Sequence, residues 1–219
     1  VTAASVLAEK TTNFFETYKS GKMKRSQLEQ FLDVAMQSSS MVLGNLNRAA
    51  ELIQSFKQVA VDQSSEAQRS FPLKAYLEEI LIPLRPRLKR TKHTVEIYGD
   101  EALTLNTYPG VLSQIVTNLV INSLTHAFPS EQSGCIRFDF QQDGDRITLK
   151  YSDNGQGIEP QHLSHIFEPF YTTKRGQGGS GLGLHLVYNL VTQKLQGTID
   201  CYSRVHEGTT FIIKLPESL

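Results

Sequence analysis

The sequence predicts an α+β protein in which an N-terminal antiparallel helical hairpin precedes a two-layer α/β sandwich. Two observations carry this prediction. Apolar and small residues recur at heptad spacing through the first sixty of the 219 residues, and strand patterns interspersed with helices follow residue 71. The polar stretch DQSSEAQRS at 62–70 has the composition of a linker. We therefore predict a hairpin domain at 1–66 and a sandwich domain at 71–219.

The hairpin is predicted from a short helix at 3–18 and a long helix at 26–62. Ser20-Gly21-Lys22 separates them, and Ser26 with Glu29 forms a capping-box pattern. In the long helix the spacing alternates between four and three, with one polar position, through Leu28, Leu32, Ala35, Ser39, Val42, Leu46, Ala49, Ile53, Phe56 and Ala60. Two helices make a thin core, so we predict a dimeric four-helix bundle; the alternative is a hairpin packed on its own chain.

The sandwich elements follow in order. A helix at 71–90 is interrupted by Pro83 and Pro86, and Asp143-Gly144 predicts a hairpin turn. Further helices are predicted at 108–128 and 182–195, and strands at 94–98, 103–107, 135–142, 145–151, 198–203 and 209–215. We expect the strands to be antiparallel, with the helices on one face.

Composition limits the function classes. Lys+Arg and Asp+Glu both number 22, so we expect no nucleic-acid partner. Cys135 and Cys201 lie in strand-like runs and are expected to be buried, reduced thiols. No apolar stretch has bilayer length, so we expect no membrane contact by this segment and a cytoplasmic location. Val1 stands in mid-pattern, which suggests a fragment whose parent carries any anchor upstream.

Five glycines within eight residues, at 176–183, leave backbone N–H groups unscreened, as phosphate binding requires. Gly176, Gly178 and Gly181 match G-x-G-x-x-G, with Asp200 about twenty residues further on. However, the preceding FEPFYTTKR is no buried strand, and Asp200 lies within a strand pattern. The run also lacks the Gly-Lys-Ser/Thr of a P-loop. A dinucleotide site is therefore disfavoured.

Two polar groups are candidate ligands. Asn118 and Asn122 lie one turn apart on one face of the predicted helix, where they could cap local backbone or offer amide oxygens to Mg²⁺. Asp153 lies at the end of a predicted strand, just before two glycines. The segment is either an ordinary turn or a site in which Asp153 accepts a hydrogen bond from an exocyclic amine and the glycines leave room for a flat base. Lys174 and Arg175 are available for phosphate.

The segments NLVINS, DNGQGI, FEPFYTTK and GGSGLGL resemble, in order, the N, G1, F and G2 boxes of sensor histidine kinases. The helical hairpin resembles the dimerisation and histidine-phosphotransfer region of that family. The resemblance covers nearly the whole chain. It implies ATP and Mg²⁺ as cofactors, a homodimer formed through the hairpin, and a response-regulator receiver domain as partner.

The resemblance also implies roles for matched positions. Asp153 would bind the adenine amino group between Gly155 and Gly157, and Asn122 would hold Mg²⁺. The phosphates would meet Asn118, His126, Lys174, Gly179, Ser180, Gly181, Leu182 and Gly183, the last five as the hinge of an ATP lid. Phe167 and Phe170 would pack that lid, whereas His162, His165 and His185 are expected to be surface or core residues.

Asn118 stands where related gyrase and heat-shock chaperone ATPases carry a glutamate that activates water. An amide cannot take that proton, so transfer is favoured over hydrolysis. No histidine precedes His93. We therefore expect the acceptor histidine and its acidic neighbour to lie upstream of Val1, and expect this segment alone not to autophosphorylate. The alternatives are a degenerate dimeric adaptor without autokinase activity and an ATPase of the same fold.

Overall fold

The computed structural model describes residues 3–21, 23–61, 67–89, 91–128, 133–174 and 180–218; for residues 47, 48 and 50–61 it describes the backbone alone. The chain divides into two compact units. The first comprises 1–54 with 174–179, and the second comprises 55–173 with 180–219.

The first unit contains α1 at Ala3–Lys19 and most of α2 at Arg25–Val61, whose residues from 55 onward belong to the second unit. Gly21, with a φ of +67°, lies in the turn between them. The ring of Phe14 stacks on that of Phe31, with centroids 4.1 Å apart. Because these two residues lie at similar distances on either side of the turn, the helices run antiparallel, as predicted.

The hairpin leaves many large apolar side chains in solvent. None of the described residues of α1 is buried. The exposed apolar set on both helices includes Phe15, Tyr18, Leu28, Leu32, Met36, Met41, Leu43 and Leu46. Of the predicted heptad positions, Ala35 and Val42 are half-buried; Ile53, Phe56 and Ala60 lie outside the described side chains. An apolar surface of this extent is typical of an interface.

The N-terminus of α2 is capped differently from the prediction. The helix begins at Arg25, so Ser26 lies inside its first turn. Oε1 of Gln27 accepts the backbone N–H of Lys24 at 2.9 Å, while Glu29 pairs with Arg25 at 2.8 Å. The predicted capping box of Ser26 and Glu29 is therefore wrong. Gln27 takes the role of the N3 residue because the N-cap is Lys24, two residues before Ser26.

A five-stranded mixed sheet organises the second unit. Its strands are β2 (Thr94–Gly99), β4 (Cys135–Asp143), β5 (Arg146–Asp153), β6 (Thr198–Arg204) and β7 (Gly208–Pro216), in the order β2-β4-β5-β7-β6. β2 pairs with β4 in parallel, and the other pairs are antiparallel. The expectation of a wholly antiparallel sheet is wrong at this edge, because a helical crossover carries the chain from β2 to β4.

A second, two-stranded sheet joins β1 (Arg69–Pro72) to β3 (Thr104–Thr107) in antiparallel register. β1 was not predicted. Its four residues read as the end of a linker and the start of a helix, and only Phe71 among them is buried. Backbone pairing, rather than an alternating apolar pattern, makes this strand.

The first helix that lies wholly in the second unit is interrupted at Pro83, as predicted. α3 (Leu73–Leu81) passes through a 3₁₀ turn at Ile82–Leu84 into α4 (Arg85–Lys89). The remaining helices are α5 (Pro109–Asn122), α6 (Pro160–Leu163) and α7 (Gly183–Asn189). Both α5 and α7 continue into unpredicted π turns, at Ser123–Ala127 and Leu190–Lys194.

The core of the second unit lies between the helices and the main sheet. Ile115 and Leu119 of α5, Phe138 of β4 and Val187 of α7 are at most 1% exposed. Cys135 and Cys201 are free thiols, as expected, but each is half-buried rather than buried. Among the described helices, none has the length and apolar character to cross a membrane.

His93 gives the second unit a pH-dependent contact. Its Nδ1 accepts the backbone N–H of Gly134 at 2.9 Å, its ring lies 4.2 Å from that of Phe128, and burial lowers its pKa below the ordinary 6.5. The folded state therefore binds fewer protons than the unfolded state between the two pKa values. The contribution is fully present above pH 6.5 and is lost as the pH falls through the lower pKa of the folded state.

We expect the free energy of unfolding of the wild type to fall more steeply below pH 6.5 than that of His93→Asn, which keeps an acceptor but cannot titrate. Urea unfolding of both proteins between neutral and mildly acidic pH measures the difference. Parallel pH profiles would show that the Gly134 contact tolerates protonation.

Candidate functional site

The C-terminal end of α5 presents the two predicted amides toward the start of α7. The Nδ2 of Asn118 donates to the carbonyl of Gln114 at 2.9 Å, which leaves its oxygen for the site. A Cβ built on Gly183 would lie 3.4 Å from Oδ1 of Asn118 and 3.5 Å from Oδ1 of Asn122. The structure thus brings Asn118, Asn122 and Gly183 together.

Asn122 carries an unsatisfied polar atom. Its Nδ2 is buried and has no hydrogen-bond partner in the described part of the chain. Oxygen and nitrogen of an amide are assigned from their partners, so an unpartnered amide can present either atom to a ligand. A buried polar group without a partner costs free energy, and a bound ligand would satisfy it.

Asp153 is the centre of a buried network. Its Oδ2 accepts from Oγ of Ser123 at 2.7 Å, and its Oδ1 accepts the backbone N–H of Gly155 at 3.1 Å and of Thr209 at 3.3 Å. The residue is 7% exposed, and burial raises the pKa of its carboxyl above the ordinary value although the three donors oppose that shift. A buried carboxylate with one acceptor position left is suited to a ligand donor.

Glycines shape the backbone at two of the donors to Asp153. One donor is Gly155 itself, and the other, Thr209, follows Gly208. A Cβ on Gly155 would meet the carbonyl of Ala127 at 2.4 Å, and one on Gly208 would meet the carbonyl of Asp153 at 1.9 Å. Gly157, with φ +71°, approaches the carbonyl of Arg204 equally closely. These close approaches give Gly155 and Gly157 a packing role, and their predicted contact with a flat base remains a prediction.

The loop after β5 also fixes the π turn. Nε2 of Gln156 donates to the carbonyl of His126 at 2.6 Å, and its backbone N–H donates to the carbonyl of Ala127 at 2.8 Å. His126 therefore contributes its carbonyl to this junction, and the residue is half-buried. Its phosphate contact remains a prediction.

The start of α7 is held by the segment before the glycine run. The N–H of Phe170 donates to the carbonyl of Gly181 at 2.9 Å, and Gly181 has a φ of +70°. Leu182 is buried, and its N–H reaches Oγ of the half-buried Ser180 at 3.4 Å. Gly179 lies outside the described residues. Lys174 is half-buried and belongs to the first unit, so its phosphate contact remains a prediction.

The aromatic residues of FEPFYTTK differ in their surroundings. Phe167 packs on the core, 5.3 Å from the ring of Tyr188 and 6.3 Å from that of Phe211. Phe170 is 51% exposed and has a φ of +67°, a strained value for a bulky residue. Phe167 therefore anchors this segment to the core rather than packing a lid.

The three histidines expected to be surface or core residues all make local contacts. His185 bonds the carbonyl of Phe167 at 2.9 Å and the amide of Asn189 at 3.0 Å. His162 bonds the hydroxyl of Tyr171, and His165 bonds Glu168. These contacts fit the expectation.

Ser123 and Tyr151 belong to the site but were not predicted. The hydroxyl of Tyr151 lies 2.7 Å from Oγ of Ser123, which in turn donates to Asp153. Tyr151 is two residues before Asp153 and shares its face of β5, a signal that was available in the alternation of the strand. Ser123 follows Asn122, but only the π turn directs its side chain toward Asp153.

A cavity of about 380 Å³ lies among Asp100, Phe140, Gln142 and Glu217, and one of about 460 Å³ lies among Leu163, Cys201, Ser203 and Arg204. Phe140 and Gln142 are near the end of β4 opposite to Ile136, the residue that pairs with Asp153. Neither cavity has Asn118, Asn122 or Asp153 in its lining, so the cavities do not identify the chemical site. The buried carboxylate and the unpartnered amide do.

The part of the second unit that contains these residues is similar to known proteins. A family model described as histidine kinase-, DNA gyrase B- and HSP90-like ATPase matches residues 108–219. The sensor kinase CckA of Brucella abortus is 31% identical over 188 residues, which cover 78% of this chain and 19% of that protein. The autoinducer 2 sensor kinase/phosphatase LuxQ of Vibrio parahaemolyticus is 38% identical over 132 residues, covering 56% and 14%.

Among solved structures, the histidine kinase ThkA in complex with the response regulator protein TrrA is similar in fold. The TM-score is 0.63 at 18% identity, and the match covers 98% of this chain and 60% of that one. The chain thus spans less than a fifth of the two curated relatives. The predicted resemblance to sensor histidine kinases and the predicted α+β fold class are confirmed.

Proposed function

This chain belongs to the histidine kinase-, DNA gyrase B- and HSP90-like ATPase family, and from that premise we propose that it is the cytoplasmic kinase core of a two-component sensor histidine kinase. It binds Mg-ATP between Asp153 and the amide pair of α5. In the parent protein the γ-phosphoryl group passes to a histidine outside these 219 residues, and from there to an aspartate of a response regulator.

The buried Asp153 carries this proposal. A carboxylate is an acceptor, and this one is surrounded by three donors that hold it in place. The exocyclic amine of adenine supplies the matching donor. Asp153 therefore orients the base, while the amides near Gly183 face the phosphate end of the nucleotide.

The residues near Gly183 suit magnesium. Amide oxygens are hard, neutral ligands that leave most of the charge of the ion for phosphate, and a Cβ built on Gly183 would lie 3.5 Å from Oδ1 of Asn122. Asn122 would hold Mg²⁺, which when bound neutralises charge on the phosphates. Asn118 would lie beside the metal and the phosphates.

Transfer is favoured over hydrolysis by the chemistry of Asn118. Its Nδ2 is tied to the carbonyl of Gln114, and its oxygen is an amide oxygen that cannot act as a base toward water at neutral pH. Asn118 therefore does not activate a water molecule for hydrolysis. Dimerisation through the exposed apolar face of α1 and α2 would supply the bundle on which a response regulator docks.

Labelled ATP tests the proposal. We expect the chain to bind ATP with Mg²⁺, to release phosphate slowly and to acquire no acid-labile phosphoryl group. Adding a segment that carries the acceptor histidine should produce one. Steady phosphate release without an acceptor, abolished in Asn122→Ala, would favour the ATPase alternative; ATP binding with no transfer after the acceptor is supplied would favour the adaptor.

A further inference from the structure

Three buried side chains form a line of hydrogen bonds beneath the proposed base site. Tyr151, Ser123 and Asp153 are 0%, 4% and 7% exposed. The hydroxyl of Tyr151 lies 2.7 Å from Oγ of Ser123, and that Oγ lies 2.7 Å from Oδ2 of Asp153. The hydroxyl of Tyr151 also lies 3.1 Å from the carbonyl of Leu119.

The donors leave Asp153 with one acceptor position to spare. An ionised carboxylate has about four lone-pair sites. Gly155 and Thr209 occupy Oδ1 with their N–H groups, and Ser123 occupies one site of Oδ2. The remaining site on Oδ2 accepts one donor from a ligand.

The direction of donation along these hydrogen bonds can also be reversed. When Asp153 is protonated, it can donate to Ser123, which donates to Tyr151, which donates to the carbonyl of Leu119. The proton is then directed away from the ligand. In both protonation states, Asp153 offers the ligand an acceptor and no donor.

We infer that Ser123 and Tyr151 are positioning residues that keep Asp153 an acceptor toward the base, and that they thereby select a purine with an exocyclic amino group over one with a carbonyl group there. This inference rests on the proposed nucleotide site. Burial raises the pKa of Asp153, which increases the share of the protonated form at a given pH. The other titratable groups whose charge couples to Asp153 are Tyr151 and Cys201, and burial raises the pKa of both.

The selection can be measured as a ratio. Isothermal titration calorimetry of the full chain with Mg²⁺ gives dissociation constants for ATP and for inosine triphosphate, which has a carbonyl in place of the amine. We expect the wild type to prefer ATP by about 10-fold or more, and Ser123→Ala to reduce that preference by roughly 10-fold. Tyr151→Phe should shift the ratio in the same direction, because Ser123 then lacks the hydroxyl that accepts its proton in the reversed line.

Ser152→Ala is the matched control, since Ser152 precedes Asp153 but points to the opposite face of β5. Its ratio should equal that of the wild type. Equal weakening of both nucleotides by Ser123→Ala, or an unchanged ratio, would overturn the inference. If Ser123→Ala does not fold, Tyr151→Phe decides in the same way. A wild type that binds neither nucleotide would instead refute the proposed function.

Discussion

Replacing Asp153 by asparagine is expected to weaken ATP binding by about 1.5–3 kcal/mol, a roughly 10- to 150-fold rise in Kd. The substitution keeps the shape of the side chain but turns one acceptor into a donor. The backbone N–H groups of Gly155 and Thr209 hold the amide oxygen at the Oδ1 position, so the nitrogen takes the place of Oδ2. One of its two N–H bonds can donate to the hydroxyl of Ser123, which then donates to Tyr151. Its other N–H bond faces the amine of the base, where the carboxylate offered an acceptor.

Asp143→Asn is the matched control, since Asp143 is exposed at the far end of the β4–β5 hairpin. Calorimetric titration with ATP should leave its Kd at the wild-type value. Thermal unfolding of each variant separates lost binding from lost structure. An Asp153→Asn protein that folds and binds ATP with unchanged affinity would remove Asp153 from the site.

The helices of the first unit were predictable because a heptad pattern records both the length of a helix and the face that packs. The observed α1 and α2 agree with the predicted ranges to within one residue at each end. The direction of β2 was not predictable, because alternation along 94–98 is the same in parallel and antiparallel pairs. β1 escaped prediction because backbone pairing with β3 compensates for its weak apolar pattern.

Some residues of the candidate site could likewise be predicted from the sequence, and others could not. Asn118, Asn122 and Asp153 could be predicted because their residue types are unusual in a helix interior and at the end of a strand. Ser123 could not, because its orientation depends on a π turn, and the shift of one hydrogen bond from i−4 to i−5 leaves no compositional mark. The structure gives Gly155 and Gly157 close neighbours in the protein backbone, and their contact with a nucleotide stays a prediction.

Asn122→Ala is expected to remove the Mg²⁺-dependent part of ATP affinity, which raises the Kd of ATP in the presence of Mg²⁺ by roughly 10- to 100-fold. The side chain is proposed as the protein ligand of the metal, and alanine offers no oxygen in its place. The fold should tolerate the change, because the amide nitrogen of Asn122 makes no hydrogen bond in the described structure that would be lost. Alanine is also the better helix former at this last residue of α5.

The measurement is the Kd of ATP with Mg²⁺ and with chelator, for the wild type, Asn122→Ala and the control Asn106→Ala, whose amide contacts Ser218. Mg²⁺ should tighten ATP binding in the wild type and the control but not in Asn122→Ala. Because the variant retains Asp153, its affinity for ATP in chelator should match that of the wild type. A variant that keeps the full Mg²⁺ effect would show that another group holds the metal, whereas a loss of affinity in chelator as well would place Asn122 against the nucleotide itself.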